Sequence, residues 1–278
     1  MDEPMKGFAR RRFVNVTFAI LAALLVVVSS TVYVTAVNQN GFLTGWILFG
    51  LVLALSGYRI RKKVSTLPIG RASSWLQAHI YGGLIALFAF FVHVGWRIPD
   101  GVFEGVFAIV FLLVALSGVV GIAINRVFAR RLTRRGEEVI FERIPGFMVR
   151  LREQAEEILL ASAGETGAAV LREFYFSRLS SFFAGPRNWL GHLVSSNRTL
   201  YKLQNEMDSL ERYLNADDRE RLAELRYLVE RKDELDFAYA LQGAMKFWLF
   251  IHVPLTGALL IGMLVHTVLV HAFSGGLS

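Results

Sequence analysis

The stretches AHIYGGLIALFAFFVH, residues 78–93, and HVPLTGALLIGMLVH, residues 252–266, decide how this chain reads. Neither contains a lysine, arginine or carboxylate, and each carries two histidines fourteen residues apart: His79 and His93, then His252 and His266. On an α-helix, fourteen residues advance roughly 21 Å and return to within about 40° of the same face. Two such helices side by side offer two stacked pairs of imidazoles, one near each surface of a bilayer. That arrangement suits two non-covalently held haems, so electron transfer across a membrane is the expected use.

Working outward, other apolar runs are of spanning length, about 20 residues. They cover about 13–37, 42–58, 76–96, 102–124 and 244–273, giving five expected transmembrane helices. Hydrophobic residues make up 54% of the 278 positions, more than a soluble chain needs to form its core. The first run follows Arg10, Arg11 and Arg12. It is too long for the apolar part of a signal peptide and reads as an uncleaved anchor.

Charge gives the orientation. Lysine and arginine cluster before span one, after span two (Arg59, Arg61, Lys62, Lys63) and after span four (Arg126, Arg130, Arg131, Arg134, Arg135). The opposite loops carry only Arg97, and the tail after Phe273 carries none. The positive-inside bias therefore puts the N-terminus in the cytoplasm and the C-terminus in the periplasm of a bacterial-type inner membrane. The net charge of +7 is spent on these flanks, so membrane lipid and not nucleic acid is the expected surroundings. Spans three and five both run from inside to outside. His79 then lies level with His252, and His93 with His266.

There is no cysteine. That excludes disulfides, thiolate-held iron–sulfur clusters and covalent c-type haem, and leaves haem b. Gly83 on the His79 face and Gly262 one turn before His266 give either clearance for a flat macrocycle or close helix packing. Phe90 lies between the pairs and reads as a core residue. Arg97, just beyond His93, is placed to pair with a haem propionate or to anchor the span; Lys246, Arg59 and Arg61 are weaker inner candidates. His271 points about 140° from His266 and reads as interfacial, with a quinone contact or a ligand to a partner's haem as alternatives. His192 reads as a surface or hydrogen-bonded histidine.

The chain divides into 1–126, four spans; 127–242, a polar segment; and 243–278, the fifth span. In the polar segment Leu203, Met207, Leu210 and Leu214, then Leu222, Leu225, Val229 and Leu235, recur at helical spacing. Breaks are expected at 163–167, at Ala184-Gly185-Pro186, and at Asn215 to Asp218, the last with an N-cap. This insert reads as an inside-facing helical hairpin or small bundle, its mixed charges as a solvated face. Its last helix has no evident stop before span five. The fold class is thus an all-α integral membrane protein, with a haem-binding four-helix bundle and a helical insert between helices four and five.

The two histidine stretches resemble those of the membrane dihaem cytochromes b: respiratory cytochrome b subunits, cytochrome b561 proteins and ferric-reductase-like domains. Ligands on the third and fifth spans are most similar to the ferric-reductase layout. The resemblance implies two haem b, with a quinone as a further candidate cofactor. It implies an electron-transfer subunit of an oxidoreductase complex, with a periplasmic or membrane redox partner such as a multihaem cytochrome or an iron–sulfur subunit. The chain departs from ferric reductases in the large insert and in having no GxGxxG fingerprint. Two alternatives stay open: a stand-alone reductase of ferric iron or oxygen, and a haem-free transporter or scaffold with proton-relay histidines.

Overall fold

The computed structural model describes residues 3–37, 40–63, 71–134, 139–161 and 166–274. Asn38 and Gln39, Arg135, the Ala163-Gly164-Glu165 part of one expected break and the tail after Ser274 lie outside the described residues. So do the side chains of Arg10, Arg11, Arg12, Arg59, Arg61, Lys62 and Lys63.

Among the described residues the secondary structure is helical, with no strand. The helices are α1 (Glu3–Val37), α2 (Asn40–Lys63), α3 (Ala72–His93), α4 (Val102–Leu132), α5 (Ile144–Ala161), α6 (Thr166–Phe174), α7 (Ser180–Phe183), α8 (Trp189–Leu193), α9 (Arg198–Glu211) and α10 (Ala216–Ser274). Five of these, α1 to α4 and α10, are long and apolar enough to cross a membrane. They also expose large apolar side chains: Phe13, Leu25, Val106, Phe250 and Ile261 are each more than half accessible. Such a surface suits hydrocarbon, and helices satisfy their backbone groups internally, as a bilayer requires.

The chain forms two compact units. One comprises Met1–Ile122 with Trp248–Ser278, the other Ala123–Phe247, so the boundaries fall inside α4 and α10. In the first unit the core is drawn from four helices: Val52 of α2, Ala86 and Phe90 of α3, Ala108 and Phe111 of α4, and Leu259 and Met263 of α10. Phe90 stacks on Phe111 with ring centroids 4.4 Å apart, the packing role expected of it. Helix α1 lies outside this cluster and is tied to α3 by Asn15 Nδ2 donating to Gln77 Oε1 at 2.7 Å. A single interhelical amide bond of this kind is typical glue between spans.

The end of α3 is sharply defined. Gly95 N donates to Val92 O at 3.2 Å and Trp96 N to Phe91 O at 3.1 Å. This is the Schellman pattern, and its usual apolar clasp is present as Trp96 stacked on Phe91 at 5.0 Å. Gly95 takes φ +63°, the left-handed conformation that glycine adopts without penalty. The cap stops α3 immediately after His93.

Gly121 of α4 makes room for a side chain of α10, since an added Cβ falls inside the Trp248 ring. Trp248 is held there by Nε1 donating to Ser117 O at 2.7 Å. Gly121→Leu is expected to destabilise the chain by about 1–3 kcal/mol through overpacking. Thermal unfolding followed by circular dichroism in detergent checks it, and an unchanged midpoint contradicts this packing.

The second unit has its own core. Leu203, Met207, Leu214, Leu222, Leu225 and Val229 of the expected periodic pattern are buried in it, with Leu171, Tyr175 and Leu179. The last two bound a π-helical turn, Tyr175–Leu179. Asn215 caps α10 through Oδ1, which accepts the Asp218 backbone N–H at 2.8 Å.

One expectation for this segment is corrected. Its charges are not all on a solvated face: Lys232, Asp233 and Asp236 are buried while Leu235 is only half-buried. The reason is phase. At 3.6 residues per turn, the stripe Leu222, Leu225, Val229 continues through Lys232 and Asp236 to Ala240, whereas Leu235 falls about 120° away. Lys232 Nζ bonds Asp236 Oδ2 at 2.5 Å and Gly185 O at 2.8 Å, and lies 4.3 Å from the centre of the Phe182 ring. Asp236 Oδ1 accepts the Arg187 backbone N–H at 3.2 Å. Burial pushes the Asp236 carboxyl up to about 6 against the pull of Lys232. The expected break at Ala184-Gly185-Pro186 is thus pinned to α10 by a buried ion pair.

Candidate cofactor site

Helices α3 and α10 carry the four histidines, and the first unit brings the rings of His93 and His266 together. The His93 and His266 rings have centroids 6.4 Å apart and planes nearly perpendicular. Two imidazoles on opposite sides of one metal, each bonded at about 2 Å, put their ring centres about 6 Å apart.

The neighbouring helices fix the rings. His79 Nδ1 lies 3.1 Å from Leu55 O of α2. A carbonyl only accepts, so Nδ1 carries the proton and Nε2 the lone pair. His93 Nδ1 lies 3.0 Å from Thr44 Oγ1 of α2, whose hydroxyl donates to Gly41 O at 3.3 Å. His252 Nδ1 lies 2.7 Å from Ser117 Oγ of α4, whose hydroxyl donates to Val114 O at 2.8 Å. A hydroxyl that gives its proton to its carbonyl has lone pairs to accept Nδ1–H from the imidazole. His79 therefore has the tautomer that leaves Nε2 for a metal, and His93 and His252 have partners that accommodate the same tautomer, as outer partners orient metal-bound histidines. The fourth, His266, packs against the rings of Phe103 and Phe107 at 6.4 and 5.5 Å.

The surroundings differ between the levels. Tyr58 lies 5.2 Å from the His79 ring and Trp248 stacks on His252 at 5.3 Å. Gly45 of α2 approaches His93 so closely that an added Cβ meets the ring at 3.1 Å.

The two glycines expected to give clearance part company. A Cβ at Gly83 meets nothing within 4 Å, leaving open space on the His79 face. A Cβ at Gly262 meets the Phe107 ring at 2.9 Å, so its smallness is already used by a side chain. Of the two readings, close packing describes Gly262. Arg97 is exposed in the turn beyond α3. Lys246 pairs with Glu142 and lies over the Phe141 ring, so those contacts, and not a propionate, engage it. His271 Nδ1 lies 2.8 Å from Thr267 O, against Phe42 and Trp46. His192 is buried, not on the surface, with Nε2 3.7 Å from Asp233 Oδ1.

Thr44, Ser117 and the Leu55 carbonyl were not legible as parts of the site from spacing alone. Thr44 and Ser117 had a signal: a hydroxyl in an otherwise apolar span needs a partner. The carbonyl had none.

Two imidazoles per level do not complete a metal shell, and among the described residues no group of three or more histidine, cysteine or carboxylate side chains converges. A metal held here must bring its remaining ligands with it, as iron does in a porphyrin. The donor set fits haem on that ground.

No protein-family model, curated protein or solved structure matches the chain.

Proposed function

We propose that this chain is a dihaem b-type cytochrome, the inner-membrane subunit of a redox complex. It carries electrons between a quinone pool or inner donor and a redox partner at the outer face. The observation that supports this most is the pairing of four intramembrane imidazoles at two levels, three of them with Nδ1 engaged and Nε2 left as the ligating nitrogen. Bound haem supplies the one-electron chemistry.

The chain's own residues hold, orient and insulate. His79 with His252 would hold one haem, and His93 with His266 the other. Leu55, Thr44 and Ser117 set their tautomers. Gly83 leaves room beside His79, and the Phe90–Phe111 stack fills the core between the levels. Arg97 stands at the outer end to meet a propionate. The Lys/Arg bias places the N-terminus inside and the C-terminus outside. The partner outside is an iron–sulfur or multihaem protein, and the helical insert docks an inside partner or braces the bundle.

A proton relay by the same histidines is less well supported. Their Nδ1–H groups end on a carbonyl and on two hydroxyls already committed to carbonyls, not on a chain of titratable groups.

Conduction across a bilayer tests the function. Haem-loaded chain is reconstituted in liposomes with ferricyanide trapped inside and membrane-impermeant dithionite added outside. Trapped ferricyanide is reduced quickly if the two sites conduct. Reduction no faster than in protein-free liposomes sinks the proposal.

A further inference from the structure

The two histidine pairs have unequal hydrogen bonding, and on the dihaem reading this sets a direction. Donation from Nδ1–H shifts electron density to Nε2, making the imidazole a stronger ligand to ferric iron and lowering the reduction potential. At the His79–His252 level both rings have an acceptor, Leu55 O at 3.1 Å and Ser117 Oγ at 2.7 Å. Ser117 donates onward to Val114 O at 2.8 Å, which polarises its hydroxyl and strengthens it as an acceptor.

At the His93–His266 level only His93 has such a bond, to Thr44 at 3.0 Å. Thr44 donates onward to Gly41 O at 3.3 Å, a weaker link than that of Ser117. Among the described residues His266 has ring contacts with Phe103 and Phe107 and no hydrogen bond. Glu104 acts on His266 in the opposite sense, since a negative charge favours ferric iron. It is exposed, however, and solvent and salt screen it.

We infer that the site between His79 and His252 has the lower potential and the site between His93 and His266 the higher. Electrons then run from the first to the second, from the cytoplasmic to the outer side in the orientation above. One electron leaves one site and arrives at the other, with no bond or proton exchanged. Ser117 and Thr44 act through their histidines as positioning residues, one for each site.

Potentiometric titration of the purified holoprotein, read by visible absorbance, tests this. Wild type shows two one-electron waves. Ser117→Ala raises the lower wave by an approximately tenfold change in the ferric-to-ferrous ratio at fixed potential, about 59 mV for one electron, and leaves the upper wave in place. Thr44→Val raises the upper wave alone. Ser117→Thr and Thr44→Ser keep an acceptor and return each wave close to its wild-type position. Ser117→Cys retains the volume with a poor acceptor and repeats the first shift should alanine prove unstable. Two waves that respond in the reverse order, or not at all, overturn the inference while leaving the dihaem reading intact. A purified chain without haem removes both.

Discussion

His93→Ala is expected to leave one b haem per chain, and His93→Ala combined with His266→Ala still one. Combining His93→Ala with His252→Ala leaves none. These outcomes follow from level pairing: the first double variant strips both ligands from one site, the second strips one ligand from each. Crosswise pairing predicts the reverse. Loss of an outer partner of a metal-bound histidine already costs about 10–100-fold in metal affinity, so loss of the ligand itself empties its site. Haem per chain, measured as the pyridine haemochrome against protein concentration, decides it. Retention of both haems in His93→Ala contradicts the pairing.

The second large effect lies in the other unit. Asp236→Ala is expected to destabilise it by about 3–5 kcal/mol, because it leaves the buried Lys232 ammonium without its carboxylate. Lys232 then retains Gly185 O, the face of Phe182 and the more distant Asp233 charge, and the Arg187 N–H loses its acceptor. The double replacement Lys232→Met with Asp236→Leu is expected to cost much less, since apolar groups of similar size do not need partners. Chemical denaturation of the full chain in detergent, followed by fluorescence and circular dichroism, compares the three. If the single variant unfolds at the same midpoint as wild type, the pair is not the buried lock described above.

The parts of the molecule differed in how legible they were, for physical reasons. Spanning helices announce themselves because length and apolarity are properties of a single segment. The pairing of His79 with His252 followed from periodicity and charge bias, both local quantities, once the two helices were read as parallel. Leu55 gave no sign, because any backbone carbonyl is equivalent in sequence. Gly262 reads equally as clearance or packing, because a glycine does not announce which side chain fills its space, and Phe107 is more than 150 positions away. Lys232 and Asp236 were taken as solvated because they are charged, although their phase on α10 continues the stripe of Leu222, Leu225 and Val229. There the period was the better guide than the residue type.

The central claim is that four histidines hold two b haems, and the most direct measurement is the reduced-minus-oxidised spectrum of the purified chain with its haem content. A Soret band and sharp α-bands of low-spin, bis-histidine haem, with two haems b per chain, are the expected result. A purified, folded chain with no Soret absorbance, in membranes supplied with haem, would contradict it.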